Sequence, residues 1–433
     1  MSIKLRPYGR NFGTSPQAVS FATASLITLI FLTVASPSLR GRTLSPLHMF
    51  KGSPDGSSPW AAPIHDTHGN FYGTTWSGGK FGFGTVFEVD STGKETILHD
   101  FAGGSDGAFP WSGLIMDAAG NLYGTTNTGG GAYCFNNYGC GVVFKMSPKR
   151  GGGWTETVLY AFKGKPDGQH PGYGSLAQDA AGNLYGTTID GGGGYCSAGC
   201  GVVFKLARSS SGHWKETVLH SFNATQTDGV TPYGGVILDA AGNAYGTTSL
   251  GGSSSCGCGT VFKLDATGKA TILYSFTGGA DGAQPFGALV RDAAGNLYGT
   301  TWDPATGHNY GTVYKLDPSG SKTSLHAFTG YPSDGAAPIG ALVRDSAGNL
   351  YGTTYFGGNG NDPFCETNHQ PQGCGAVFKV DKNGKETILH NFVYSVDGAE
   401  ISAGVTLDAK GKLYGGASVG GNRHNGLVYK LSR

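Results

Sequence analysis

The sequence predicts an all-β protein, a seven-bladed β-propeller of four-stranded blades closed by an N-terminal strand that completes the last blade. Three observations lead there. A phrase built on Gly-Asn-Leu-Tyr-Gly-Thr-Thr returns with small variations around Tyr72, Tyr123, Tyr185, Tyr245, Tyr298, Tyr351 and Tyr414, at spacings from 51 (72 to 123) to 63 (351 to 414) residues. That period is too long for a heptad or a leucine-rich repeat and suits one blade per copy. Each copy holds four short runs rich in Val, Ile, Thr, Phe and Tyr between Gly, Asp, Asn and Pro, and no window beyond the N-terminal segment keeps apolar residues at helical spacing. Of 433 residues 77 are Gly and only 14% are charged, a composition suited to tight turns and to strands packed on both faces.

Within a repeat the strands are lettered a to d in chain order. Strand a reads like Gly287-Ala288-Leu289-Val290, and strand b is the Tyr-Gly-Thr-Thr segment. A glycine-rich loop leads to strand c, as in Gly141-Val142-Val143-Phe144-Lys145-Met146 or Gly259-Thr260-Val261-Phe262-Lys263-Leu264. A turn such as Asp265-Ala266-Thr267-Gly268 precedes strand d, as in Glu95-Thr96-Ile97-Leu98-His99-Asp100-Phe101, and an Asp-Gly pair with a following Pro leads into the next blade. Strand-d phrases begin near Glu95, Glu156, Glu216, Ala270, Thr323 and Glu386, one fewer than the copies of b and c. The missing one matches Leu47-His48-Met49-Phe50, so both chain ends are expected to meet in the last blade and leave no open edge.

Residues 1–40 read as a signal peptide or an N-terminal membrane anchor, and 41–433 as the propeller. Lys4, Arg6 and Arg10 precede an apolar stretch from Ala18 to Ala35, then Ser36-Pro37-Ser38 and the basic Arg40 and Arg42. Pro37 makes a poor cleavage neighbourhood, and the stretch is almost long enough to span a bilayer, so both readings stay open. The eight cysteines point to the same route: Cys140, Cys200, Cys258 and Cys374 each precede the glycine that opens strand c, with Cys134, Cys196, Cys256 and Cys365 just upstream in the same loop. Four bridges, each within one b-to-c loop, require only an oxidising compartment, whereas zinc would require four convergent ligands. The Cys256–Cys258 pair has the least freedom, with one residue between. A secreted, periplasmic or cell-surface location is expected.

The repeated Tyr-Gly-Thr-Thr, the Gly-Gly that follows and the Gly-Thr-Val-Phe-Lys-Leu strand resemble the GloVer tandem repeat of Gloeobacter and Verrucomicrobia, found in exported bacterial proteins of the choice-of-anchor kind. The likeness runs from about residue 43 to 433. It implies an exported repeat protein and assigns no molecular role. Relatives of that kind often end in a sorting segment, whereas this sequence ends at Lys430-Leu431-Ser432-Arg433 inside the last blade, which places any expected anchor at the N-terminus.

Residues shared by all blades are expected to serve packing and turns. The Asp-Gly aspartates at Asp55, Asp106, Asp167, Asp228, Asp281, Asp334 and Asp397 are read as turn formers rather than calcium ligands, because each loop offers one carboxylate. His48, His99, His220, His326 and His390 share their slot with Tyr160 and Tyr274, which marks a packed ring with a polar edge rather than a catalytic group. The candidate site lies where the repeats differ. Directly after the Thr-Thr pair stand Trp76, Trp302 and Tyr355, and the d-to-a loops add Trp60, Trp111, Tyr173, Tyr233 and Phe286. In a propeller both loop sets surround one mouth of the central tunnel, where such rings stack on sugar faces or on a protein; the alternative is that they plug the tunnel.

The blade-six insertion carries Asp362, Cys365, Glu366 and His369, but with Cys365 bridged the remaining ligands would be unsupported as a metal site. Trp154 and Trp214 are expected to cap blade edges on the opposite face. A net charge of +1 offers no field for nucleic acid. No serine-hydrolase elbow, zinc-protease motif, phosphate loop or dinucleotide fingerprint stands in the strand-to-helix setting that such motifs need. The sequence therefore favours an exported, monomeric, non-catalytic binding module without metal or cofactor, its partner an extracellular glycan or envelope protein and its only membrane contact the N-terminal segment. A hydrolase or lyase of extracellular polysaccharide, drawing on Asp190, Asp303 or Glu400, and a structural envelope module are the alternatives.

Overall fold

The structure, a computed structural model, describes residues 42–432 other than 132–133, 135–137, 226–227, 303–309, 360–361, 368–369 and 372. Seven antiparallel blades follow one another through this span. In blade 1 strands a to d are Ile64–His65, Phe71–Thr75, Thr85–Val89 and Glu95–Asp100, each hydrogen-bonded to the next. The b/c register, Phe71 opposite Val89 through Thr75 opposite Thr85, returns in blade 6 as Leu350 opposite Val380 through Thr354 opposite Ala376. Strand b does not alternate between buried and exposed: all five residues of Phe71–Thr75 and of Leu122–Thr126 are buried. Each blade is covered on both faces by its neighbours, so both sides of the middle strand are core.

The repeated phrase now has a physical account residue by residue. In blade 2, Asp117 Oδ1 accepts the amides of Ala119 and Asn121, while Oδ2 accepts the Asn121 side-chain amide and the Tyr123 hydroxyl at 2.9 Å. Burial works to raise the Asp117 carboxyl, but these bonds outweigh it and hold its pKa low. The glycine after the tyrosine lies under the strand-c ring: a Cβ on Gly124 would stand 2.6 Å from Phe144, and one on Gly73 2.5 Å from Phe87. The first threonine bonds the next blade, as Thr74 does to the Ser112 carbonyl, and the second bonds strand c, as Thr75 does to Thr85.

Blades are joined through aromatic rings. The phenylalanine closing each strand d meets the strand-c ring of the next blade edge-on, as Phe101 meets Phe144 at 5.2 Å and Phe222 meets Phe262 at 5.2 Å. Phe392 against Tyr429 and Phe50 against Phe87 complete the circle. The closing strand is as expected in kind and longer than expected: Thr43–Met49 pairs with Leu427–Ser432, from Thr43 opposite Ser432 to Met49 opposite Leu427. In blade 5 strand d begins at Lys322, one residue before the expected Thr323. Trp154 opens strand d of blade 2 and packs on Tyr72 of blade 1, in keeping with its expected capping role. Among the described residues no helix is long and apolar enough to cross a membrane. The signal-or-anchor reading of 1–40 lies outside the described residues.

Candidate functional site

The d-to-a and b-to-c loops share one face, since Gly56–Ser57 pairs with Ser77–Gly78 and Gly335–Ala336 with Phe356–Gly357. Where the d-to-a loop enters strand a, every blade has one residue in the left-handed region: Ser58, Phe109, His170, Thr231, Gln284, Ala337 and Glu400, with φ between 53° and 61°. The strain is held by bonds on both sides. The Phe109, His170, Thr231 and Gln284 amides donate to the carbonyls of Phe83, Cys140, Cys200 and Cys258 in the preceding blade, at 2.8–2.9 Å. The Ser58 amide donates to Asn425 and closes the ring. Cys140, Cys200 and Cys258 thus occupy the acceptor slot between blades, and bridges to Cys134, Cys196 and Cys256 fasten it; Cys365 and Cys374 form the fourth bridge.

Above this clasp the aromatic residues form an arc. Trp111 stacks on Tyr173 at 4.7 Å and 3°, with Trp60 6.1 Å from Tyr173; Tyr173 then meets Tyr233 at 5.4 Å, Tyr233 meets Phe286 at 4.7 Å, and Phe286 meets Trp302 at 5.2 Å. The arc borders a central cavity of about 620 Å³, which Trp60, Tyr173, Tyr233, Phe286, Trp302 and Tyr355 help to line. Burial pushes the Tyr173 hydroxyl up to about 12, and Tyr355 is raised by burial and then by the neighbouring Glu400 carboxylate. Of the five sequence candidates, Trp60, Trp302 and Tyr355 face the cavity and Trp111 backs the arc. Trp76 turns aside onto Phe109 of the next blade, 5.3 Å away.

The unrepeated acids are spread apart. Asp190 bonds His170 Nδ1 at 2.9 Å in blade 3, Glu400 meets Tyr355 between blades 6 and 7, and Asp303 lies outside the described residues. In the blade-six insertion Asp362 accepts the amides of Phe364 and Ser395, so it anchors the loop; His369 and the side chain of Glu366 are not described. The Asp-Gly aspartates are the turn formers expected: Asp55 accepts the Lys51 and Gly56 amides, and His48 reaches it at 3.2 Å.

One feature of the blade boundaries gave no signal as a site. Glu95, Glu156, Glu216 and Glu386 set their carboxyls beside Asp55, Asp106, Asp167 and Asp334; burial, then the neighbouring aspartate, pushes each up to about 7. His48, Asp55 and Glu95, and likewise His326, Asp334 and Glu386, bring three potential ligand atoms within 4.8 Å of one another. At the equivalent boundary of blade 5, Lys322 sits on Asp281 at 2.8 Å, an ammonium where blades 1, 2, 3 and 6 have a carboxyl.

A repeat model described as the Gloeobacter/Verrucomicrobia repeat matches residues 33–257, 132–365 and 255–433. The chain belongs to that family. No curated protein matches it in sequence. Among solved structures it is similar to the extracellular domain of a protein assigned as a one-component system in B. thetaiotaomicron, at 12% identity and TM-score 0.51, covering 91% of this chain and 40% of that one. It is also similar to a luciferin-regenerating enzyme, at 12% identity and TM-score 0.43, covering 91% and 96% of the two chains. A protein assigned to the gluconolactonases overlays at 15% identity and TM-score 0.40, covering 72% and 89%. Only the first overlay is close enough to speak for the fold, and none speaks for a substrate.

Proposed function

We propose that this repeat protein is an exported, non-catalytic binding module that recognises a glycan or an envelope protein through the face formed by its b-to-c and d-to-a loops. The carrying observation is the concentration of apolar surface there. All seven large apolar side chains exposed among the described residues, Phe81, Tyr138, Tyr195, Leu250, Tyr310, Phe364 and Val396, stand on loops of this face, around the aromatic arc at the cavity mouth. Exposed apolar groups gathered on one face mark an interaction surface, and rings among Asn, Ser and Gly suit stacking on sugars. Four disulfides and an extracellular domain among the similar structures support export.

The test is a glycan array and an envelope-fraction pull-down, repeated with the Trp60→Ala, Trp302→Ala double variant. Stacking rings contribute about 0.5–1.5 kcal/mol each beyond area burial, so the expected loss is roughly tenfold or more. A folded double variant that binds every hit as tightly as the parent removes this reading. The enzymatic alternative has two observations in its favour, the Tyr355–Glu400 and His170–Asp190 pairs at the mouth. They stand in different blades, and no carboxylate lines the cavity among the described residues. Turnover of an extracellular polysaccharide that disappears in Glu400→Gln would revive it.

A further inference from the structure

The channel behind the aromatic rim has a chemistry different from that of the rim. Inner strands of all seven blades wall it, with Ala61, Ile64, Ile237, Ala288, Val343 and Val405 among the side chains that face it, and among the described residues no Asp, Glu, Lys, Arg or His lines it. Carbonyls along the inner strands are bonded by hydroxyls of the preceding blade: Thr74 donates to Ser112 at 3.0 Å, Thr247 to Gly287 at 3.3 Å, Thr353 to Ala403 at 2.6 Å and Thr406 to Pro63 at 2.8 Å. The hydroxyl of Ser402, another lining residue, points to the Trp60 carbonyl at 3.4 Å. A sugar entering this channel would give up hydration for few replacement bonds, whereas a hydrocarbon gains by leaving water. The volume of about 620 Å³ is in the range that encloses small organic ligands.

Polar groups return at the mouth. Tyr173 and Tyr355 both line the cavity with their phenol rings, and the Glu400 carboxylate lies near Tyr355. We infer that the ligand is an uncharged amphiphile, with its hydrocarbon part in the channel and its neutral polar part held at the aromatic rim. This rests on the reading of the loop face as the recognition surface and adds the class of molecule that it takes.

Titration calorimetry with n-hexyl, n-heptyl and n-octyl β-glucoside below their micelle concentrations, with glucose as the headgroup control, tests the inference on the intact protein. Affinity is expected to rise about fourfold per added methylene, with glucose alone far weaker. Ala288→Phe and Ala61→Phe, which fill the channel from different blades, are expected to weaken octyl glucoside at least tenfold while leaving any array hit on the face unchanged; two sites guard against one variant failing to fold. Affinity independent of chain length, or channel-filled proteins that bind octyl glucoside as the parent does, overturns the inference and leaves the face reading standing. Conversely, if the affinity for octyl glucoside and its chain-length dependence both survive undiminished in the Trp60→Ala, Trp302→Ala protein, the channel site holds and the rim reading falls.

Discussion

Glu95, Glu156, Glu216 and Glu386 lie near the start of strand d in four blades, and each keeps one carboxyl oxygen buried with no hydrogen-bond partner. Burial and the adjacent Asp-Gly aspartate favour the protonated form and push each up to about 7 from the ordinary 4.5. Because the folded pKa is raised, the stability linked to these groups is fully present below about 4.5 and is lost as the pH rises through about 7. Substituting all four by Gln keeps a neutral side chain of the same length at every pH. Thermal midpoints of parent and Gln variant, measured from pH 5 to pH 8 at constant ionic strength, are expected to diverge, with the parent falling relative to the variant as pH rises. A constant difference across that window would mean that the four carboxyls titrate normally. The sequence showed a Glu four residues before the ring of strand d, but its partner is reached only across a blade boundary, so its burial was not legible.

At the scale of an element, the closing strand Thr43–Met49 and the Phe50 that follows it carry the clearest consequence. Phe50 is fully buried, packs with Phe71, Phe87 and Tyr414, and is the one ring by which blade 7 grips blade 1 in the manner of the other six boundaries. Phe50→Ala is expected to cost about 3–5 kcal/mol, as for a phenylalanine lost from a well-packed core. Deleting residues 43–50 is expected to cost more, because it also leaves Leu427–Ser432 as an open edge. Denaturant titration checks both, and a truncated protein as stable as the parent would show that the ring does not depend on this strand. Closure was legible because one copy of strand d was missing and one matching phrase was left over. The strand-b phrase was legible because Asp117, Asn121 and Tyr123 form one local bond network. The left-handed clasp was not: in blades 1 to 6 it falls just before Pro59, Pro110, Pro171, Pro232, Pro285 and Pro338, where local sterics favour extended backbone, and only bonds to a neighbouring blade hold it. The turn of Trp76 toward Phe109 was not legible for a similar reason, since repeat alignment fixes its loop position but not its direction.

For the molecule as a whole, the two faces of the ring differ in chemistry and in where the chain enters. The loop face carries the exposed Phe, Tyr, Leu and Val side chains, while the c-to-d and a-to-b turns opposite carry charges such as Asp90, Lys94, Lys149, Arg150, Asp381, Lys385 and Lys410. Thr43 pairs with Ser432 at the end of strand c, and Arg42 donates to the Gly411 carbonyl of an a-to-b turn at 3.2 Å, so the chain enters the ring on the charged face. Attachment through the residues before Thr43 therefore leaves the aromatic face free, and attachment through a b-to-c loop obstructs it. Surface plasmon resonance on two orientations tests this. Protein biotinylated ahead of residue 42 is expected to bind the array hits and octyl glucoside with full capacity. Protein held through Tyr195→Cys, whose side chain is 88% exposed at a loop tip, is expected to lose most capacity for a polymeric or protein partner. Because octyl glucoside is small enough to reach the cavity from the edge of the disc, its binding is expected to survive in both orientations. Equal capacity for the large partner in both orientations would place recognition on the charged face or on the rim of the blades, and would separate the aromatic arc from function.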